Sequence, residues 1–137
     1  MLGCAIAAAQ EKGNWRAANQ TAKSITGDVQ ISNEKIAINF ATFTIAEIRS
    51  LTAAEMGAVS GDEASGSGNL YRLSVPATQK FLKKNTLCGS DETQWMATFV
   101  AGKSLRIVLF SGASMPVFTA EALTNSPNLC GTFDYVR

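Results

Sequence analysis

Trp95-Met96-Ala97-Thr98-Phe99-Val100, then Ala101-Gly102-Lys103-Ser104, then Leu105-Arg106-Ile107-Val108-Leu109-Phe110: this stretch decides the fold. Two runs rich in β-branched and aromatic residues flank a short glycine-containing connection, which is the pattern of a β-hairpin. Ile107 to Phe110 is apolar without interruption, as in a strand that is central in a sheet or covered on both faces. Ser111-Gly112 ends it.

Working outward, one tripeptide brackets the hairpin: Leu87-Cys88-Gly89 before it and Leu129-Cys130-Gly131 after it. These hold two of the three cysteines in the chain. A disulfide between Cys88 and Cys130 would close a loop of about 43 residues, worth about 4 kcal/mol in the chain-entropy model. No Cys-x-x-Cys is present, so the pair reads as a structural clasp and not a redox site. Beyond it, Phe133 and Tyr135 alternate with Thr132, Asp134 and Val136 as one more strand.

Towards the N-terminus the period of two continues. Ile25, Gly27, Val29 and Ile31 alternate with polar residues, and Ile36, Ile38 and Phe40 resume after the turn at Ser32-Asn33-Glu34. Phe43 and Ile45 sit on the opposite parity, which calls for a bulge or a break near Ala41-Thr42. Ile45 to Leu51 fits strand or helix, with strand favoured. Leu70 to Val75 is a strand ended by Pro76, and Val117-Phe118-Thr119 a brief edge strand. Gln10 to Ala22 predicts a short helix or turn that brings Trp15 over one end of the core. Thr52 to Asn69, rich in glycine and poor in large residues, predicts a mobile loop. Ala77 to Asn85 predicts a short amphipathic helix with Phe81 and Leu82 inward and Lys80, Lys83 and Lys84 in water. The expected fold is therefore mainly β: an antiparallel barrel or sandwich of about seven to eight strands, lipocalin-like, with one short helix near residues 77–85.

Composition bounds the chemistry. A chain of 137 residues, 46% hydrophobic and 17% charged, fits a single globular domain. A net charge of +1 makes no electrostatic case for nucleic acid. No apolar run approaches the ~20 residues of a bilayer-spanning helix. Histidine is absent, which removes the Ser-His-Asp and Cys-His mechanisms and the usual zinc and haem ligands. No cofactor or metal site is expected. Asp62, Glu63 and Asn69 lack the spacing of a calcium loop. Ser32-Asn33-Glu34-Lys35 matches a Ser-x-x-Lys pattern but falls on a turn without partner motifs. Gly66-Ser67-Gly68 lacks the third glycine of a dinucleotide loop and precedes a strand.

Residues 1–9 read as the remnant of a secretory signal peptide, with Ala7-Ala8-Ala9 as the small-residue cleavage site and residues 10–137 as one β-rich domain. Leu2-Gly3-Cys4 also fits the end of a lipoprotein signal, with Cys4 as the lipidated residue. Export, to the periplasm or beyond the cell, agrees with a disulfide. Ser24-Ile25-Thr26-Gly27-Asp28, Leu70-Tyr71-Arg72, Asn85-Thr86-Leu87-Cys88-Gly89, Phe110-Ser111-Gly112 and Leu129-Cys130-Gly131-Thr132-Phe133-x-Tyr135 carry a resemblance. Together they resemble a group of small exported proteobacterial proteins of no assigned function, which implies a compartment and a paired-cysteine framework and no active site.

Three functions follow as expectations. The first is a non-catalytic exported barrel that binds a small apolar ligand or an envelope protein, with Trp15, Tyr71, Trp95, Phe99, Phe110 and Phe118 as candidate cavity lining. The second is a cell-envelope inhibitor or interaction module acting through loop 52–69, with Asp62 and Glu63, or through Lys80, Lys83 and Lys84. The third is a histidine-free hydrolase or isomerase using Asp28, Glu47 or Asp134, which would require those carboxylates to converge.

Overall fold

The structure is a computed structural model that describes residues 11–60 and 66–137. The signal-peptide reading of residues 1–9, Cys4, Asp62 and Glu63 lie outside the described residues. Among the described residues the chain forms nine strands in one antiparallel sheet of order β4-β3-β2-β1-β9-β8-β7-β6-β5. They are β1 (Gly13–Ala17), β2 (Val29–Ser32), β3 (Lys35–Ile38), β4 (Ala41–Thr44), β5 (Ala46–Ser50), β6 (Ser67–Val75), β7 (Thr93–Ala101), β8 (Ser104–Ser111) and β9 (Leu129–Val136). Three helices accompany them: α1 (Gln20–Ile25), α2 (Ala53–Ser60) and α3 (Ala120–Asn125).

The first and last strands of the order, β4 and β5, are separated in sequence only by Ile45. They are two halves of one bent strand, the first paired with β3 and the second with β6. The bend nearly closes the sheet into a barrel, because each half of one segment satisfies a different neighbour. Ile45 marks it with a buried side chain and an amide that donates to the Glu34 carbonyl at 2.9 Å. The nine strands, against the seven or eight expected, reflect this bend and the unanticipated β1.

The central hairpin is as the sequence predicts. Ala101 pairs with Ser104, which leaves Gly102-Lys103 as a two-residue turn with Gly102 at φ 61°. Met96 and Val100 on β7 and Leu105, Ile107 and Leu109 on β8 fill the barrel with Trp15, Ile31, Ile36, Tyr71, Leu73, Phe133 and Tyr135. On the outer face, Trp95, Ala97, Phe99, Val108 and Phe110 form a second cluster with Leu51, Met56 and Val59 from the α2 region and Phe118 from the loop before α3. The uninterrupted run Ile107–Phe110 is thus buried on both sides of the sheet. A disulfide joins Cys88 to Cys130 with Cα atoms 4.9 Å apart, fastening the loop before β7 to the start of β9.

Four local expectations are corrected. Residues 10–22 hold β1 and only the start of α1, and α1 continues to Ile25, so the expected strand at 25–31 shortens to β2. The helix starts where it does because the Asn19 side chain accepts from the Ala22 amide (2.9 Å) while its own amide donates to the Thr132 carbonyl (3.2 Å). Segment 52–69 is not a loop throughout: α2 occupies its first half and β6 begins at Ser67. At Gly68 an added Cβ would lie 2.5 Å from the Thr98 carbonyl oxygen and 3.1 Å from Leu51, so this glycine lets α2 and β7 close on β6. The expected helix at 77–85 is a single 3₁₀ turn at Leu82–Lys84, with Lys83 and Lys84 at φ 54° and 62°. Phe81 packs on Phe43 (centroids 6.1 Å apart) and the Asn85 amide donates to the Ser24 carbonyl at 3.2 Å, anchors on either side of the turn that a regular helix would pull apart. Finally, Val117–Thr119 is not a strand; Thr119 instead caps α3 by accepting from the Ala122 amide at 3.1 Å.

Candidate functional site

Ile38 pairs with Ala41, so Asn39 and Phe40 alone make the β3–β4 turn. Both adopt the left-handed conformation, at φ 46° and 74°. A two-residue turn with both φ values positive matches the twist of a hairpin, and Asn suits its first position. Phenylalanine does not suit the second, where glycine is the usual occupant and a bulky L-residue is strained by about 1–2 kcal/mol. Phe40 is also 104% exposed. The turn therefore holds an aromatic ring entirely in water at a backbone position that disfavours it.

An open groove of about 450 Å³ lies beside that turn, with Asn14, Arg16, Gly27, Gln30, Ala37 and Leu82 in its walls. Leu82 reaches it from the 3₁₀ turn, and its Cδ1 lies 3.1 Å from where a Cβ of residue 27 would stand. Lys80, Lys83 and Lys84 are exposed on that segment and Lys23 is exposed on α1, which the Asn85–Ser24 hydrogen bond joins to it. Asp28, the acid in the groove wall, accepts from the Ala17 amide at 2.9 Å. The apex, the groove and the lysines belong to the barrel end formed by the β1–β2, β3–β4 and β6–β7 connections.

The six aromatic residues anticipated as one cavity lining fall into two groups. Trp15 and Tyr71 belong to the inner core, and Trp95, Phe99, Phe110 and Phe118 to the outer cluster. Both indoles have structural partners: Trp15 Nε1 donates to the Glu11 carbonyl (2.9 Å) and Trp95 Nε1 to the Gly112 carbonyl (3.0 Å). The three carboxylates considered for catalysis are also apart. Asp28 lines the groove just described, Glu47 a second one near Lys12, and Asp134 a third where it pairs with Arg106 at 2.7 and 3.1 Å. Ser32 and Lys35 pair across the β2–β3 turn, as the sequence placed them.

One buried acid escaped the sequence reading. Glu11 is 2% exposed, and its Oε1 accepts from the Thr98 hydroxyl at 2.5 Å and from the Asn69 amide at 3.2 Å. Burial raises its pKa above the ordinary 4.5, and the bonds from Thr98 and Asn69 offset part of that rise. Thr98, between Met96 and Val100, and its cross-strand neighbour Asn69, at the parity of Tyr71 and Leu73, are polar residues at inward positions and mark that a polar partner lies inside the barrel. The other interior polar pair is Tyr135 and Thr26, oxygens 2.7 Å apart, and burial raises the Tyr135 phenol so that it stays protonated. In comparison with protein-family models, curated proteins and solved structures, nothing matches this chain.

Proposed function

We propose that this is an exported, non-catalytic β-barrel that binds a partner protein of the cell envelope, with the Asn39–Phe40 turn and the basic Lys80–Lys84 segment as its docking surface. The observation that carries the reading is Phe40: strained backbone and full exposure both cost stability and neither serves the core. The neighbouring groove offers apolar wall at Ala37 and Leu82, and the exposed charges of the adjoining segment are Lys80, Lys83 and Lys84. The complementary partner is a segment that offers an apolar side chain together with carboxylates. The side chains packed along the barrel axis favour a partner over a small apolar ligand held inside. Export is supported by the small-residue pattern Ala7-Ala8-Ala9 and by the paired cysteines of the resemblance.

Photocrosslinking tests the proposal. A benzophenone side chain at position 40 is expected to trap a single envelope protein, while the same probe at Lys103, on the opposite end of the barrel, traps none. Combined K83E and K84E changes and raised salt are each expected to reduce the adduct, since exposed charges are screened within about 8 Å at physiological ionic strength. The same adducts from both positions, or an adduct indifferent to charge reversal, would count against this surface.

A further inference from the structure

Glu11 and Lys12, just before β1, lie at the end of the barrel remote from Phe40 and are held there by three contacts. The Glu11 carboxylate lies inside, against Thr98 of β7 and Asn69 of β6. The Glu11 carbonyl accepts from the Trp15 indole, whose ring lies 4.1 Å from the Arg137 guanidinium. Arg137 in turn donates to the Lys12 carbonyl at 2.7 Å. Backbone contacts of this kind do not depend on pH. The carboxyl is the one member of the set whose charge changes as pH rises from the ordinary glutamate range.

Burial in the barrel end disfavours its ionised form. The strands packed around it supply two uncharged donors, Thr98 and Asn69, which offset part of that cost without removing it. The charged groups nearby are Glu47 on β5, whose like charge disfavours ionisation, and Lys12, which favours it; the Lys12 ammonium is drawn outward to the Asn33 side chain. Glu34 and the Tyr71 phenol line the same groove of about 610 Å³ as Lys12 and Glu47, and Arg137 faces Trp15. No cation bonds to the Glu11 carboxylate itself among the described contacts. An ion held there without one is costly.

We infer that Glu11 is a proton-operated latch: protonated, it keeps the chain before β1 seated in the barrel end, and when it ionises that segment loosens and widens the groove between Lys12, the β2–β3 turn and the β4–β5 bend. The sign follows from linkage. An acid that holds its proton more tightly when seated than when released stabilises the seated form at low pH, and that stabilisation fades as pH rises above the ordinary 4.5.

Hydrogen exchange at the Trp15 indole, followed by NMR from pH 5 to pH 9, reads the latch directly. After correction for the intrinsic base-catalysed rate, the wild-type opening constant is expected to climb by up to about tenfold per pH unit through the titration and then level off. Glu11→Gln should be flat over the same range. Should that variant fail to fold, Glu47→Gln on the exposed strand serves instead: removing the like charge should move the midpoint to lower pH. A wild-type opening constant independent of pH, a pH dependence that persists in Glu11→Gln, or a midpoint unmoved in Glu47→Gln would overturn the latch and leave Glu11 a structural acceptor.

Discussion

At the scale of the residue, Phe40 and Glu11 depart most from what local rules would choose. Phe40 occupies the second position of a turn in which both residues are left-handed. Glycine there would relieve the strain of about 1–2 kcal/mol, at an entropic cost of about 0.5–1 kcal/mol because the unfolded chain gains freedom. Phe40→Gly is therefore expected to raise unfolding stability by up to about 1 kcal/mol in a denaturant titration, and to abolish the crosslinked adduct of a probe placed at Leu82. A loss of stability in that variant would mean that the ring contributes to folding. Neither residue could be singled out from sequence. The alternation Ile36, Ile38, Phe40 invited an inward Phe40, yet Ile38 is the last inward residue and the chain turns immediately after it.

At the scale of the element, α2 carries a start signal in its sequence that the glycine content of residues 52–69 hides. Thr52-Ala53-Ala54-Glu55 is a capping box, with the Thr52 hydroxyl accepting from the Glu55 amide (3.2 Å) and the Glu55 carboxylate from the Thr52 amide (2.9 Å). Arg49 adds a forked pair to that carboxylate at 2.7 and 2.9 Å, which holds its pKa below the usual glutamate value. The glycines that follow suggested a loop, but one of them, Gly68, is there to let α2 approach β7. Thr52→Ala is expected to cost about 1 kcal/mol and to speed amide exchange at residues 55–58 above the rest of the chain. Because the Glu55 pKa is lowered, its contribution is present at neutral pH and is lost as pH falls below 4.5. The 3₁₀ turn at Leu82–Lys84 is the opposite case. Apolar spacing suggested a helix, and the anchors at Phe81 and Asn85 decided otherwise.

At the scale of the whole molecule, the barrel is a packed body wrapped on one side by a second apolar layer. Met96 is fully buried at its inner face, so Met96→Ala is expected to cost about 2–5 kcal/mol in chemical denaturation, the range for a core truncation. The wild-type protein, its axis filled with side chains, should carry no apolar adduct in a native mass spectrum; a reproducible bound lipid would argue for an interior site. The sequence by itself determined the β class, the alternation that turns Phe133 and Tyr135 of β9 inward, the burial of the run Ile107–Phe110 and the pairing of Cys88 with Cys130. Period-two alternation and apolar runs are imposed by the faces of each strand, so they are written into neighbouring residues. The tertiary structure decided that β4 and β5 are one strand bent at Ile45 to close the barrel, that the aromatic residues divide between two clusters, that Phe40 stands in water and that Glu11 lies inside. The position of Phe40 depends on the register of the β3–β4 turn, and the others depend on which distant segments meet, contacts that no local pattern records.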